Sequence, residues 1–279
     1  MSNYRRLAIP LIAMVVFLAA CTGNANDLLS QIKTRGTLIV STDPNYAPQS
    51  FLRPDGTYEG FDIDVAKEIA SRLDVDIQFE TPEWEAITAG SWSGRWDVSV
   101  GSMTITAERK GVLAFSTPYY YTPAQMAATV ASGITTLDGL AGKTVCVGES
   151  TTYGDWLNGA LNLVDAPTPA TPPANVTVTT LPTDANCAES VQSGRTDFEG
   201  FLSSATVIEQ TIGEGIAVVA VGDPVFYEPL AVAIDLGGPE YQSLLTEIDR
   251  ILQEMRDDGT LTSLSNNWFG IDLTVLASS

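Results

Sequence analysis

The chain has 279 residues, 44% of them hydrophobic, and its 34 acidic against 14 basic side chains give a formal net charge of -20. This composition excludes global disorder and provides apolar material for one large or two mid-sized domains. The acidic balance argues against nucleic acid as a partner. The chain contains no histidine, which excludes a Cys/His zinc site and a histidine-based catalytic triad. We expect neither a metal nor a cofactor.

The first 21 residues are typical of an export signal. Two arginines precede an apolar run from Leu7 to Cys21, which is too short for a comfortable membrane span. The end of the run, LAAC, resembles the lipobox of bacterial lipoproteins, whose cysteine becomes the lipidated N-terminus. We therefore expect a signal peptide over residues 1–21, a lipid anchor on Cys21 and a tether over residues 22–35. An uncleaved anchor helix and an ordinary signal peptide are the alternatives.

Strands and helices alternate after this leader. Residues 36–43, GTLIVSTD, read as a strand because β-branched side chains fill a short run bounded by a glycine and a turn. Residues 61–73, FDIDVAKEIASRL, carry apolar side chains at helical spacing behind Asp62 or Asp64 as a candidate cap. DIQFE then returns as a strand, which completes a β-α-β unit.

The same alternation restarts in the second half. A strand over residues 93–103 is followed by another at residues 142–148, GKTVCVG. The pattern then continues through NVTVTTL, DANCAESVQSG, DFEGFL and GIAVVAV. Residues 239–259 predict a long amphipathic helix, a shorter helix ends near NNWFG, and the proline-rich residues 164–175 read as a surface loop. Two α/β units are predicted.

Two cysteines remain if Cys21 is acylated. Cys146 and Cys187 form an even pair in an exported and therefore disulfide-permissive protein. We expect them to be bonded to each other, and buried free thiols are the alternative.

Several motifs resemble, in order, those of the extracellular solute-binding proteins of family 3, the polar amino-acid receptors of ABC importers. These motifs are GTLIVSTDPNYAP, GFDIDVAKEIA, MTITAERK, FSTPYY, GRTDF and MRDDGTLTSLSNNWF. The resemblance covers about residues 36–270. It implies an α/β fold of the type II periplasmic-binding-protein kind, in which two lobes are joined by two crossover strands and the ligand cleft lies between them.

The resemblance also implies where the lobes begin and end. Crossovers are expected near residues 119–123 and 226–231. The expected divisions are lobe 1 over 38–118 plus 230–270, lobe 2 over 122–226, and a C-terminal tail over 271–279.

A strand-to-helix junction carries the main candidate binding site. In GSMTITAERK, Ser102 and Thr104 stand just ahead of Arg109. Hydroxyls, helix N-terminal amides and a guanidinium together suit a carboxylate, because the guanidinium matches two carboxylate oxygens. Spacing alone leaves a surface ion pair as an alternative for Arg109. The resemblance implies that all three residues bind the α-carboxylate of the ligand.

Other residues are expected around the same ligand. Thr151 and Thr152, in GESTTYGDWL, stand where a loop enters a helix, and their amides would complete the carboxylate cage. The resemblance places Tyr46 and Trp84 as walls of the side-chain pocket, with a core role as the alternative for Trp84. Asp43 is a candidate contact to the ligand side chain or, equally, a cap for the turn at Pro44.

One position departs from the family pattern. Family members place an aspartate that binds the ligand's α-ammonium five residues beyond the first acid of GRxDAxxxD, and this chain has Leu202 there. Glu199 is the nearest acid without matching the position. An unpaired ammonium in a closed cleft would be costly. Either Glu199 or another acid holds the amine, or the ligand lacks an α-amine.

The expected function is therefore that of a binding protein rather than an enzyme. We expect a monomeric, extracytoplasmic, lipid-anchored protein that captures an amino acid or related small carboxylate by hinge closure and hands it to an ABC transporter permease. An enzyme resembling cyclohexadienyl dehydratase is one alternative, although no nucleophile and base pair is legible. A sensory adaptor is another, although a sensor input domain normally carries a further membrane helix and a signalling module.

Overall fold

The computed structural model describes residues 26–195 and 197–276. Its helices are α1 (Leu28–Arg35), α2 (Phe61–Arg72), α3 (Trp84–Thr88), α4 (Thr152–Leu157), α5 (Asp184–Gln192), α6 (Ala205–Gly213), α7 (Gln242–Asp257) and α8 (Thr260–Phe269), with 3-10 turns at Arg109–Gly111, Val130–Ser132 and Leu137–Leu140. Its strands are β1 (Thr37–Ser41), β2 (Asn45–Tyr46), β3 (Ser50–Leu52), β4 (Tyr58–Glu59), β5 (Asp76–Glu80), β6 (Val98–Thr104), β7 (Leu113–Phe115), β8 (Tyr120–Thr129), β9 (Thr144–Gly148), β10 (Thr177–Leu181), β11 (Gly200–Ser204) and β12 (Val218–Asp235).

Two long strands connect the halves of the molecule. The main sheet has the order β10-β9-β11-β8-β12-β6-β1-β5, with β7 also paired to β12, and β2, β3 and β4 form a separate small sheet. β8 and β12 lie side by side, antiparallel, with Tyr120 opposite Leu230 and Thr129 opposite Val218. Of the segments named from the sequence, residues 120–123 lie on β8, Tyr119 directly precedes it, and residues 226–231 lie on β12. The fold is the expected one, two α/β lobes with a cleft between them.

Lobe 1 is closed by the C-terminal helices. The predicted stripe of α7 is buried, including Leu244, Ile248 and Met255, and it packs in one cluster with β1 and α2. A tether was expected over residues 22–35, but residues 28–35 form α1. Leu28 and Ile32 of this helix belong to the same cluster. The C-terminal tail also packs there, because the carbonyl of Leu273 accepts a hydrogen bond from the Tyr121 amide at 2.7 Å.

The cap of α2 differs from the prediction. Gly60 occupies the N-cap position with φ 130°, and neither Asp62 nor Asp64 caps the helix. A β-carbon at Gly60 would stand 2.2 Å from the carbonyl oxygen of Gln49, so the close approach of two chain segments requires glycine there. Asp62 is instead fully buried and faces β6.

Lobe 2 contains the expected disulfide. Cys146 on β9 is bonded to Cys187 on α5, with their Cα atoms 5.9 Å apart. Both side chains are fully buried in a cluster with Phe201 and Ile208. In the part of the chain described, no helix combines the length and apolarity needed to cross a membrane.

Candidate functional site

A cavity of about 470 Å³, counted with its opening to solvent, lies between the lobes. Its walls come from the loop after β1, from α3, β6 and the turn at Arg109 in lobe 1, and from the N-termini of α4 and α5 in lobe 2, with β12 between them. The lining residues are Asp43, Tyr46, Trp84, Gly101, Ser102, Thr104, Arg109, Thr151, Thr152, Tyr153, Pro182, Thr183, Asp184 and Glu228.

Nearly all of the residues singled out from the sequence meet here. Those that line the cavity are Asp43, Tyr46, Trp84, Ser102, Thr104, Arg109, Thr151 and Thr152. These residues come from both lobes and from segments far apart in sequence, and the fold brings them together in a single candidate site.

Glu199 is the exception. Its carboxylate accepts a hydrogen bond from the backbone amide of Thr144 at 2.8 Å, and it does not line the cavity. Leu202 is fully buried in the lobe 2 core, opposite Met126 of β8. Adjacent residues of a strand face opposite sides, and the next residue, Ser203, donates its hydroxyl hydrogen to Asp184. Glu199 therefore lies apart from the other residues expected around the ligand, whereas Asp184, the partner of Ser203, lines the cavity.

Arg109 is buried, and within the described part of the chain no carboxylate contacts its guanidinium directly. It is 7% exposed and forms no salt bridge with any described residue. Nη1 donates to the carbonyl of Thr104 at 3.1 Å, and Nη2 donates to the carbonyl of Ser150 at 3.0 Å. Its guanidinium lies 5.5 Å from the ring centre of Trp84, within cation-π range. A guanidinium has five N–H donors, so donors remain for an anion in the cavity.

The helix expected at Arg109 is a short turn. Residues Arg109–Gly111 form one 3-10 turn, and the Arg109 amide donates to the Thr106 hydroxyl at 3.1 Å. A macrodipole from a long helix therefore does not contribute at this point.

The hydroxyls expected to hold a carboxylate already have acceptors within the protein. Ser102, in the left-handed region at φ 56°, donates to Asp62 at 2.7 Å. The hydroxyls of Thr104 and Thr152 both donate to Oε1 of Glu228, at 2.7 and 2.5 Å. In this arrangement their hydrogens are given to Asp62 and Glu228.

Two buried acids in the cavity were missed by the sequence analysis. Glu228 lies on β12 and is 2% exposed; Asp184 is the first residue of α5 and is 4% exposed. Burial raises the pKa of Asp184 to about 7, against the hydrogen bond from Ser203. Burial also raises the pKa of Glu228, while hydrogen bonds from three hydroxyls and the nearby Arg109 charge act in the opposite direction.

Direct contacts hold the two lobes together around the cavity. Trp84 donates from Nε1 to the Ser150 carbonyl at 3.2 Å, and the hydroxyls of Tyr46 and Tyr153 lie 3.3 Å apart. Outside the cavity, Gln49 of lobe 1 donates to the hydroxyls of Ser204 and Thr206 at 3.1 and 2.5 Å. Within residues 26–195 and 197–276, no group of three or more Cys, Asp and Glu side chains is placed to hold a metal ion.

Comparison with protein families identifies the architecture. The model of the bacterial extracellular solute-binding proteins, family 3, matches residues 38–271. The chain belongs to this family. The family 3 match extends over both lobes and includes every residue that lines the cavity.

Individual relatives of this family 3 protein cover almost the whole chain. It is similar to the L-cystine-binding protein TcyJ of Escherichia coli K12, with 32% identity over 269 residues and 94% of each chain covered. Among solved structures, the ancestral amino acid-binding protein AncCDT-1, a precursor of cyclohexadienyl dehydratase, aligns with a TM-score of 0.73 and 31% identity over 86% of this chain and 99% of the other. An ancestral arginine-binding protein bound to arginine aligns with a TM-score of 0.72 and 29% identity, over 85% and 99%.

Proposed function

We propose that this protein binds an α-amino acid in the cavity between its lobes and delivers it to the permease of an ABC importer. Membership of family 3 supports this proposal, as do relatives named for binding L-cystine and arginine. The observation that carries it is Arg109, a buried guanidinium that forms no direct salt bridge with the described residues and lines a cavity between both lobes.

The charges of the cavity fit a zwitterion. A buried cation that is not directly paired is costly, and a ligand carboxylate would give Arg109 a direct partner. The cavity also contains Asp43, Asp184 and Glu228, which supply negative charge for an amine. A simple monocarboxylate would bind Arg109 but would bring no positive charge to these three acids.

Capture by hinge closure is part of the proposal. We assign residues 38–118 with 230–270 to lobe 1 and residues 122–226 to lobe 2, so that β8 and β12 serve as the hinge. The contacts from Arg109 and Trp84 to Ser150 join the lobes, and they would break when the cleft opens. Small-angle X-ray scattering should report a smaller radius of gyration with ligand than without it.

Anchoring and location complete the proposal. We propose that Cys21, which lies outside the described residues, carries lipid and holds a monomeric protein on the outer face of a membrane. The family's extracellular description supports this location, and the lipobox resemblance supports the anchor.

A thermal-shift screen tests the binding function. The purified protein is heated with each of the twenty common amino acids, with L-cystine and with simple organic acids. A ligand that binds only the folded state raises the unfolding temperature. Stabilisation by an amino acid supports the proposal, and stabilisation by none of the amino acids contradicts it.

Catalysis is a second candidate function because of Asp184. A carboxyl with a pKa raised to about 7 suits a general acid, and AncCDT-1 is described as a precursor of a dehydratase. Mass spectrometry of the bound amino acid after long incubation decides between the two functions. Recovery of unchanged ligand excludes catalysis on that ligand.

A further inference from the structure

Glu228 lies at the centre of a cluster of hydroxyl groups from Thr104, Thr152 and Tyr153. The sequence analysis expected the two threonines to bind a ligand carboxylate. Oε1 accepts from Thr104 of lobe 1 and from Thr152 of lobe 2, and Oε2 accepts from the Tyr153 hydroxyl at 2.9 Å. The side chain is 2% exposed and lines the cavity. The protein therefore supplies a carboxylate of its own beside Arg109.

The number of hydrogen-bond donors and acceptors left free in this cluster determines what it can bind. A threonine hydroxyl has one hydrogen and two lone pairs. Thr104 and Thr152 give their hydrogens to Glu228, so they can present only lone pairs to a ligand. Glu228, when ionised, also accepts only. The cluster repels a carboxylate and suits a group with several N–H donors, such as an ammonium.

The position of Glu228 relative to Arg109 fits an α-amino acid. The α-carboxylate and the α-amine share one carbon atom, so their protein partners must be neighbours. Thr104 connects the two residues, because its backbone carbonyl accepts from Nη1 of Arg109 and its hydroxyl donates to Oε1 of Glu228. Asp184 also lines the cavity, but its carboxylate accepts from Ser203 of β11 rather than from the hydroxyls around Glu228.

We propose that Glu228, together with the hydroxyl oxygens of Thr104 and Thr152, binds the α-ammonium of the ligand. This inference rests on the proposed amino-acid-binding function. It assigns the amine to β12, in the crossover between the lobes, rather than to β11, where Leu202 stands in place of the family's aspartate.

The experiment compares each amino acid with its analogue that lacks the amine. The probes are L-arginine with 5-guanidinopentanoic acid, and L-cystine with 3,3′-dithiodipropionic acid; if the screen selects another amino acid, its des-amino acid is used. Calorimetry gives the ratio of the two affinities for the wild type, E228Q, D184N and E199Q. E199Q is the matched control, because the same substitution is made outside the cavity.

E228Q should weaken the amino acid by about 30-fold or more and change the des-amino acid much less, so that the ratio collapses. E199Q should retain the wild-type ratio, and D184N should lower it far less than E228Q does. If E228Q weakens both probes equally, Glu228 only positions other groups. If the affinity ratio collapses in D184N, Asp184 binds the amine. Either result overturns the inference. Failure of every amino acid to bind the wild type would instead overturn the proposed function.

A second variant keeps the test decisive if E228Q does not fold. T152V leaves Glu228 in place and removes one acceptor from the cluster. It should lower the ratio several-fold, and an unchanged ratio in a folded T152V protein contradicts the inference. E228D, which retains the charge, should preserve the preference for the amino acid.

Discussion

Arg109 of lobe 1 donates a hydrogen bond from Nη2 to the backbone carbonyl of Ser150 in lobe 2, at 3.0 Å. The same guanidinium lies over Trp84, which donates to the same carbonyl. One lobe 2 oxygen thus receives two donors from lobe 1. A ligand bound to Arg109 would therefore sit against the junction between the lobes.

Replacement of Arg109 by alanine should weaken ligand binding by about 2–5 kcal/mol, because one half of a desolvated charge pair is lost. Calorimetry with the amino acid found by thermal shift measures this loss. Arg53→Ala, which removes an exposed arginine paired with Glu59, is the control and should bind normally. Wild-type affinity in the Arg109 variant would contradict its role.

Gln49 should influence affinity without touching the ligand. Its hydrogen bonds to Ser204 and Thr206 connect the lobes away from the cavity, so Gln49→Ala should destabilise the closed arrangement and weaken binding several-fold. Scattering should show a larger unliganded particle. Gln78→Ala, which removes an exposed glutamine from lobe 1, should change neither quantity, and an unaltered affinity in the Gln49 variant would count against this contact as a lock.

The disulfide should stabilise the protein through the unfolded chain. It links positions 41 residues apart, and a loop of that length corresponds to about 4 kcal/mol in the chain-entropy model. Urea unfolding of the Cys146→Ser, Cys187→Ser double variant should therefore show a marked loss of stability. Equal midpoints for the variant and the oxidised protein would exclude a stabilising role.

Asp62 should make stability fall as the pH rises. Burial raises its pKa from 3.8 to about 7, while hydrogen bonds from Ser102 and Tyr119 oppose the shift. Between these values the folded state keeps a proton that the unfolded state has lost, so the contribution is present below about pH 4 and disappears by about pH 7. The slope is about 1.4 kcal/mol per pH unit.

Asp62→Asn should flatten this part of the stability profile, measured by urea unfolding at several pH values. The same substitution at the exposed Asp76 is the control. A profile as steep as that of the wild type would show that Asp62 does not retain its proton in the folded protein.

Cys21→Ser should abolish lipid labelling and release the protein from the membrane while ligand affinity remains unchanged. Radiolabelled fatty acid incorporation and cell fractionation measure the two effects. Continued labelling of the variant would place the anchor elsewhere.

Periodicity located most elements because core formation demands it. The stripe of α7 and the short β-branched strands were predicted correctly, since each buries one face or both. The cap of α2 was not predicted. Gly60 is required there because the backbone of Gln49 approaches it closely, and this approach exists only in the folded chain.

The candidate site was predicted in part for a similar reason. Arg109, Thr104 and Thr152 belong to local motifs, so the sequence singled them out. Glu228 and Asp184 become neighbours of these residues only through the crossover of β12 and the packing of α5 beside β11. The family motif places the residue that binds the ligand's amine on β11. In this chain that position is Leu202, whose side chain points into the core of lobe 2.

The insertion of lobe 2 within lobe 1 has a consequence for the order of folding during synthesis. A chain that emerges N-terminus first presents β1, α2, β5 and β6 before β12 and α7, which complete the same core. At ordinary elongation rates this interval is on the order of ten seconds. The apolar faces of the early strands stay uncovered during that time, whereas lobe 2 emerges as one uninterrupted segment with both disulfide cysteines. Lobe 2 should therefore become protease-resistant before lobe 1, whose core is complete only when β12 and α7 have emerged.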